Sequence, residues 1–213
     1  MENNIDWNNW LAGFAGASPI EWIATVCGFI CVFLVIRRSI WCFFFGLIQV
    51  TLYTWIFFNV KLYSDMLLHV VYIGFQIYGY LIWSKSLDQQ DHVIVASATP
   101  AYYLRMILLI IAATGVLGYV MESNTDASLP YFDGFTTCAS LVAQWLLSHK
   151  KLWNWSVWIV VDIVAIWVYW QKGLYPTSLL YFCFLIMACV GQWQWLVNYR
   201  NRETQSVNVA NPA

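Results

Sequence analysis

The chain has 213 residues, 61% of them apolar and 10% charged, with a formal net charge of −1 and a mean hydropathy of +0.62. A soluble domain of this size carries about a quarter charged and roughly half apolar residues, so this apolar surplus cannot hide in one core surrounded by water. The charge balance gives no nucleic-acid surface, and the composition points to lipid as the solvent.

Residues 1–18 begin polar and acidic, without the basic segment of a cleaved signal, and read as an extracytoplasmic N-terminal segment. Seven apolar runs follow, at 19–36, 40–58, 65–83, 103–121, 131–147, 153–170 and 175–197. Each is long enough to cross a bilayer core of about 30 Å as a helix. Arg37-Arg38-Ser39 and His149-Lys150-Lys151 are charged turns, and Gln171-Lys172-Gly173 is a helix stop. Residues 84–102 read as a cytoplasmic linker, polar from Asp88 to Pro100, and 103–121 as a single inverting helix. Pro130 and Pro176 suit the first turns of the fifth and seventh spans. Residues 198–213 form a cytoplasmic tail, expected to be disordered from Arg202 onward. With the sides numbered alternately, eight of the ten Lys and Arg residues fall on one side, and only Lys61 and Lys172 on the other. That bias puts the C-terminus in the cytoplasm and the N-terminus outside. All six cysteines lie inside apolar runs, and none forms a C-x-x-C pair, so they read as small packing residues rather than metal ligands.

The chain also repeats itself. At a constant offset of 112 residues, 41–83 lies on 153–195 without a gap. Trp41, Trp55 and Trp83 then meet Trp153, Trp167 and Trp195, and Gly79 meets Gly191, within eight identities in 43 positions. Apolar helices match by composition alone, but tryptophans in register demand more. The repeat makes 19–83 and 131–197 two three-helix units of the same topology, joined by the inverting helix. The fold class expected is all-α and membrane-embedded: seven transmembrane helices in a 3+1+3 arrangement of parallel triple-helix repeats. Transporters built on an axis along the membrane normal hold their substrate near the midplane, between the repeats.

Polar groups inside spans are costly and usually face a cavity or a partner. Here they include Gln49, Asp65, His69, Gln76, Gln144, Asp162, Gln192 and Gln194. In the stretch HKKLWNWSVWIVVD, residues 149–162, Asp162 lies about three turns in from the charged turn, and Trp158 precedes it by four residues on the same helix face. A carboxylate beside an indole suits an aromatic cation, by stacking, cation–π attraction and counter-charge. The plainer alternative is an aspartate that hydrogen-bonds a neighbouring helix and orders the bundle. The substrate-binding candidates are Trp158, Asp162, Gln144, Gln76, Tyr72, Gln192, Trp195 and Asn154. Asp65 reads as a first-turn acid and His69 as a packing residue.

Phe44-Phe45-Gly46-Leu47-Ile48, Leu62-Tyr63-Ser64-Asp65, Tyr78-Gly79-Tyr80 and Trp83 resemble the first half of the nicotinamide riboside transporters of the PnuC type. Asp133, Ala143-Gln144, Lys150-Lys151, Asn154-Trp155-x-x-Trp158 with Asp162, Lys172-Gly173-Leu174-Tyr175, and Gly191 with Trp195 are similar to the second half. The resemblance covers residues 20 to 197. It implies a 3+1+3 fold related to sugar transporters of the SWEET type, and facilitated diffusion of a vitamin across a bacterial inner membrane, with no cofactor. It also implies a functional link to a cytoplasmic kinase that traps the vitamin. Thiamine is the alternative substrate within the family. Asp162 and Val190 stand where enterobacterial nicotinamide riboside members carry asparagines. A homo-oligomer is left open.

Two other classes compete with a transporter. A haem protein needs axial ligands on facing helices, and only His69 lies well inside a span. An intramembrane hydrolase needs a nucleophile with a base in reach, and no such spacing stands out, so no enzymatic activity is expected. A structural subunit would bind no vitamin.

Overall fold

A computed structural model describes residues 18–59, 61, 63–85, 94–125 and 128–210, except the side chains of 63–65 and 205–210. The N-terminal segment before Ser18, the first half of the linker, Asp126 and the Asp65 side chain therefore lie outside the described residues. Among the described residues seven helices run in order: α1 Pro19–Ile36, α2 Cys42–Asn59, α3 Tyr63–Trp83, α4 Pro100–Asn124, α5 Pro130–Ser148, α6 Asn154–Gln171 and α7 Tyr175–Ala210. Ser18 opens α1 with a capping box, its hydroxyl accepting from the Glu21 N–H while the Glu21 carboxylate accepts from the Ser18 N–H. Proline begins α4 and α5, where its missing N–H costs nothing.

Five helices, α1 to α4 and α7, are long and apolar enough to cross a membrane. The two that fall short, α5 and α6, carry buried polar side chains instead: Ser140, Gln144 and Ser148 on α5, Asn154 and Asp162 on α6. α5 is flanked by α4, α6 and α3. Neighbouring helices, rather than lipid, cover its polar positions.

The helices pack consecutively within 19–83 and within 130–210, and α4 packs along α5. Two further contacts close the bundle, α3 against α5 and α1 against α7. Each is pinned by an indole. Trp83 Nε1 donates to the Leu147 carbonyl at 3.2 Å, and Trp195 Nε1 donates to the Val35 carbonyl at 3.1 Å. These two bonds are related by the same 112-residue offset that the sequence shows. So are the edge-on ring pairs Phe43–Trp83 (5.0 Å, 88°) and Trp155–Trp195 (5.8 Å, 89°). The Phe43 ring lies on Gly79 and the Trp155 ring on Gly191, in both cases nearer than any Cβ would allow.

Turn geometry repeats as well. Among the described residues, the non-glycine residues with positive φ are Arg38 (58°), Lys61 (61°) and Lys150 (56°), and Gly173 is at 72°. Arg38 pairs with Lys150 and Lys61 with Gly173 at the 112 offset. Each follows a helix C-terminus, where a left-handed residue turns the chain and lets its N–H bond back to a helix carbonyl.

Two expectations are corrected. The linker is not polar throughout: Val95 is buried among Val35, Trp83, Leu147 and Trp155, and Ala96 bridges to the 150–152 turn through bonds to Lys150 and from Leu152. Its apolar Val93-Ile94-Val95 run explains why. The tail is not a coil from Arg202, because α7 continues to Ala210. Residues 198–210 contain neither glycine nor proline, and Thr204 donates back to the Arg200 carbonyl at 3.1 Å.

Candidate substrate-binding site

Asp162 lies eight residues past Asn154, the first residue of α6, or about 12 Å along the axis at 1.5 Å per residue. That carries it toward the middle of a hydrocarbon layer of about 30 Å. It is 3% exposed, and among the described residues no hydrogen bond or ion pair engages its carboxylate. Its electrostatic neighbour is Tyr181 on α7, which also lies within reach of Tyr72 and Tyr169. The buried polar side chains among the described residues are Gln76, Ser140, Gln144, Ser148, Asn154, Asp162 and Ser178. That set holds one ionisable group, an acid, and no base. A buried carboxylate without a protein counter-charge is costly to keep, and a cation brought by a ligand would offset that cost.

Each half of the chain also carries an aromatic group. In the first half, His69 packs its ring against Phe57 (5.0 Å), Tyr53 (5.7 Å) and Tyr72 (5.8 Å). In the second, Tyr181 stacks on Tyr169 (5.2 Å, 17°) and meets Phe184 edge-on at 6.3 Å. Phe57, His69 and Tyr72 correspond to Tyr169, Tyr181 and Phe184 at the 112 offset.

The Tyr72 hydroxyl and Ser140 Oγ are 2.7 Å apart, joining α3 to α5. Ser140 spends its one hydrogen on the Thr137 carbonyl at 2.9 Å, so Tyr72 is the donor between them. One turn further along α5 is buried Gln144, and one turn further along α3 is buried Gln76. The Gln76 amide rests on Gly46, where a Cβ would collide with it. The structure thus buries Gln76, Gln144 and Asp162 on α3, α5 and α6, with partly buried Tyr72 and Tyr181 and buried Ser140 beside them.

Three predicted residues are placed elsewhere, toward the cation-bearing end. Trp195 is fully buried, its N–H committed to Val35 and its ring set between Trp83 and Trp155, so it joins helices. Asn154, also fully buried, donates to the Lys151 carbonyl at 2.8 Å and steadies the turn, although its Oδ1 has no partner. Gln192 accepts from Ser156 Oγ at 2.8 Å, tying α7 to α6. Trp158 lies between: it is partly buried and packs against both apolar clusters of the bundle. Ser140 and Tyr181 escaped sequence reasoning. Tyr181 had a signal, since the 112 offset lays it on His69.

Residues 18–197 match the family model of the nicotinamide mononucleotide transporters. The nicotinamide riboside transporter PnuC of Escherichia coli is 27% identical over 92% of this chain and 93% of its own length. That of Neisseria mucosa is 31% identical over 87% of this chain and 79% of its own. In structure, the chain resembles the crystal structure of the vitamin B3 transporter PnuC with a TM-score of 0.71 and 26% identity, covering 92% of this chain and 88% of that one. The chain that carries this buried acid among aromatic side chains belongs to the nicotinamide mononucleotide transporter family.

Proposed function

We propose that the protein moves nicotinamide riboside across a bacterial inner membrane by facilitated diffusion. The observation that carries the reading is Asp162, the one ionisable group in the buried polar set, with Tyr181 as its electrostatic neighbour. Nicotinamide riboside presents a flat pyridinium cation for the carboxylate and the rings, and a carboxamide and hydroxyls for Gln76, Gln144 and Tyr72. The named relatives carry this riboside in their names, and none of those named is a thiamine transporter. The family's description names the mononucleotide instead. Its phosphate would bring about two negative charges into a set of side chains that holds an acid and no buried base, so the riboside fits better.

The recurrence of contacts at the 112 offset supports two parallel three-helix repeats around a pseudo-twofold axis, with α4 as the inverting helix. The placement of eight of the ten Lys and Arg residues at one end supports a cytoplasmic C-terminus and an N-terminus outside. Passive flow requires a consuming step on the inner side, which a cytoplasmic kinase that phosphorylates the riboside would supply. No chain of buried acids and bases of the kind a proton relay needs occurs among the described residues.

Uptake into proteoliposomes tests the reading. Nicotinamide riboside is expected to enter until the two sides are equal, and the mononucleotide to enter at least tenfold more slowly. Equal rates for both, or accumulation that an uncoupler abolishes, would contradict it.

A further inference from the structure

The end of the bundle that carries Lys150 and Lys151 also carries a groove of about 430 Å³, away from Asp162. Its walls come from the linker (Ser97, Ala98), from α4 (Tyr103, Leu104, Ile107) and from Trp153. The Tyr103 and Trp153 rings are 5.4 Å apart, and the Tyr103 hydroxyl accepts from the Ala98 N–H at 3.1 Å, which fixes the groove's shape. Its two ends differ in chemistry. Leu104 and Ile107 are more than half exposed and continue along the outer face of α4, as a surface for an acyl chain. At the Ser97 end, Lys151 Nζ reaches the Ser97 carbonyl at 3.5 Å, which sets an ammonium at the groove's rim.

We propose that this groove holds one anionic phospholipid of the surrounding leaflet, its chain along Leu104 and Ile107 and its phosphate at Lys151. Basic pockets beside membrane helices bind anionic headgroups through this combination. One further observation favours an anion. Thr99 opens α4 without a side-chain hydrogen bond, so the positive end of the helix is not neutralised by its own cap. The acid on neighbouring α7, Glu203, is engaged by Tyr199. A soluble anion would leave Leu104 and Ile107 uncovered, and a neutral lipid would bring no counter-charge to Lys151 at the rim.

The test uses the full chain, purified in neutral detergent and analysed by native mass spectrometry after addition of phosphatidylglycerol, phosphatidylcholine or inorganic phosphate. One phosphatidylglycerol per chain is expected to be retained, at least tenfold more than phosphatidylcholine, with no retention of phosphate. Leu104→Trp, which fills the groove from an exposed position, is expected to lower that retention at least fivefold at an unchanged unfolding temperature. Ile107→Trp repeats the test from the next turn, and Lys151→Gln is expected to erase the preference for the anionic lipid. Equal retention of the two lipids, retention of phosphate alone, or undiminished phosphatidylglycerol on both tryptophan variants would overturn the proposal.

Discussion

Helices α1–α3 and α5–α7 use the same joints around different interiors. The indole-to-carbonyl bonds from Trp83 and Trp195, the edge-on ring pairs beneath them, the glycines that admit those rings and the left-handed turn residues all correspond at the 112 offset. The lining does not correspond. Asp162 faces Val50 in the register, Gln144 faces Val32, Ser140 faces Gly28, and Gln76 faces Ala188. Joints must fit both halves at once, because each tryptophan of one half bonds a carbonyl of the other. The positions proposed to line the site make no such joint between the halves, so they can diverge. A site with a single counter-charge is what that freedom permits.

The comparison breaks first at the glycines. Gly79→Leu and Gly191→Leu each drive a side chain into a buried ring, and over-packing of this kind costs about 3 kcal/mol, the upper end of the usual range. Thermal unfolding in detergent is expected to fall steeply and by similar amounts for both. A large loss at one glycine and none at the other would mean that the two joints are not equivalent.

Next come the indoles. Trp83→Phe and Trp195→Phe keep most of the ring but remove one of the donors to the Leu147 or Val35 carbonyl, which keeps its turn N–H from Lys150 or Arg38, so the lost bond and the smaller buried ring together cost about 1–2 kcal/mol. Riboside affinity is expected to stay within twofold of the wild type in both, because Trp195 joins helices. A selective loss of affinity in Trp195→Phe at unchanged stability would return that residue to the site.

Much of this frame was legible in the sequence. Seven apolar runs became seven helices, and three tryptophans in register disclosed the offset that the contacts then followed. What stayed hidden depended on tertiary partners. Whether an indole N–H meets a carbonyl or a ligand is not written in its neighbours along the chain, so Trp195 stood among the substrate-binding candidates. Ser140 is a small hydroxyl on a helix face, and only the approach of Tyr72 from α3 gives it a role. Val95 sits in a stretch whose ends are polar, and its burial follows from the bridge that Ala96 makes to the 150–152 turn. The polar residues after Arg202 looked like coil, yet polarity does not distinguish an exposed helix from one.

The smallest expected effect sharpens the link between the halves. Tyr72→Phe removes the donor to Ser140 Oγ but leaves that hydroxyl bonded to Thr137, so stability is expected to drop by only about 1 kcal/mol. A loss several times larger would show that the α3–α5 contact carries more of the fold than one hydrogen bond.

Asp162 decides the account. Its carboxylate stands where the first half has Val50, and Asp162→Asn removes the charge while keeping size and hydrogen-bonding capacity. Calorimetric titration of the purified wild type and variant with nicotinamide riboside measures the difference directly. The account predicts tenfold to a hundredfold weaker binding, equivalent to about 1–3 kcal/mol for a charged partner, at an unfolding temperature no lower than that of the wild type. Unchanged affinity in a folded Asp162→Asn protein would contradict it, and would leave the aspartate a structural residue and the substrate's cation without a counter-charge.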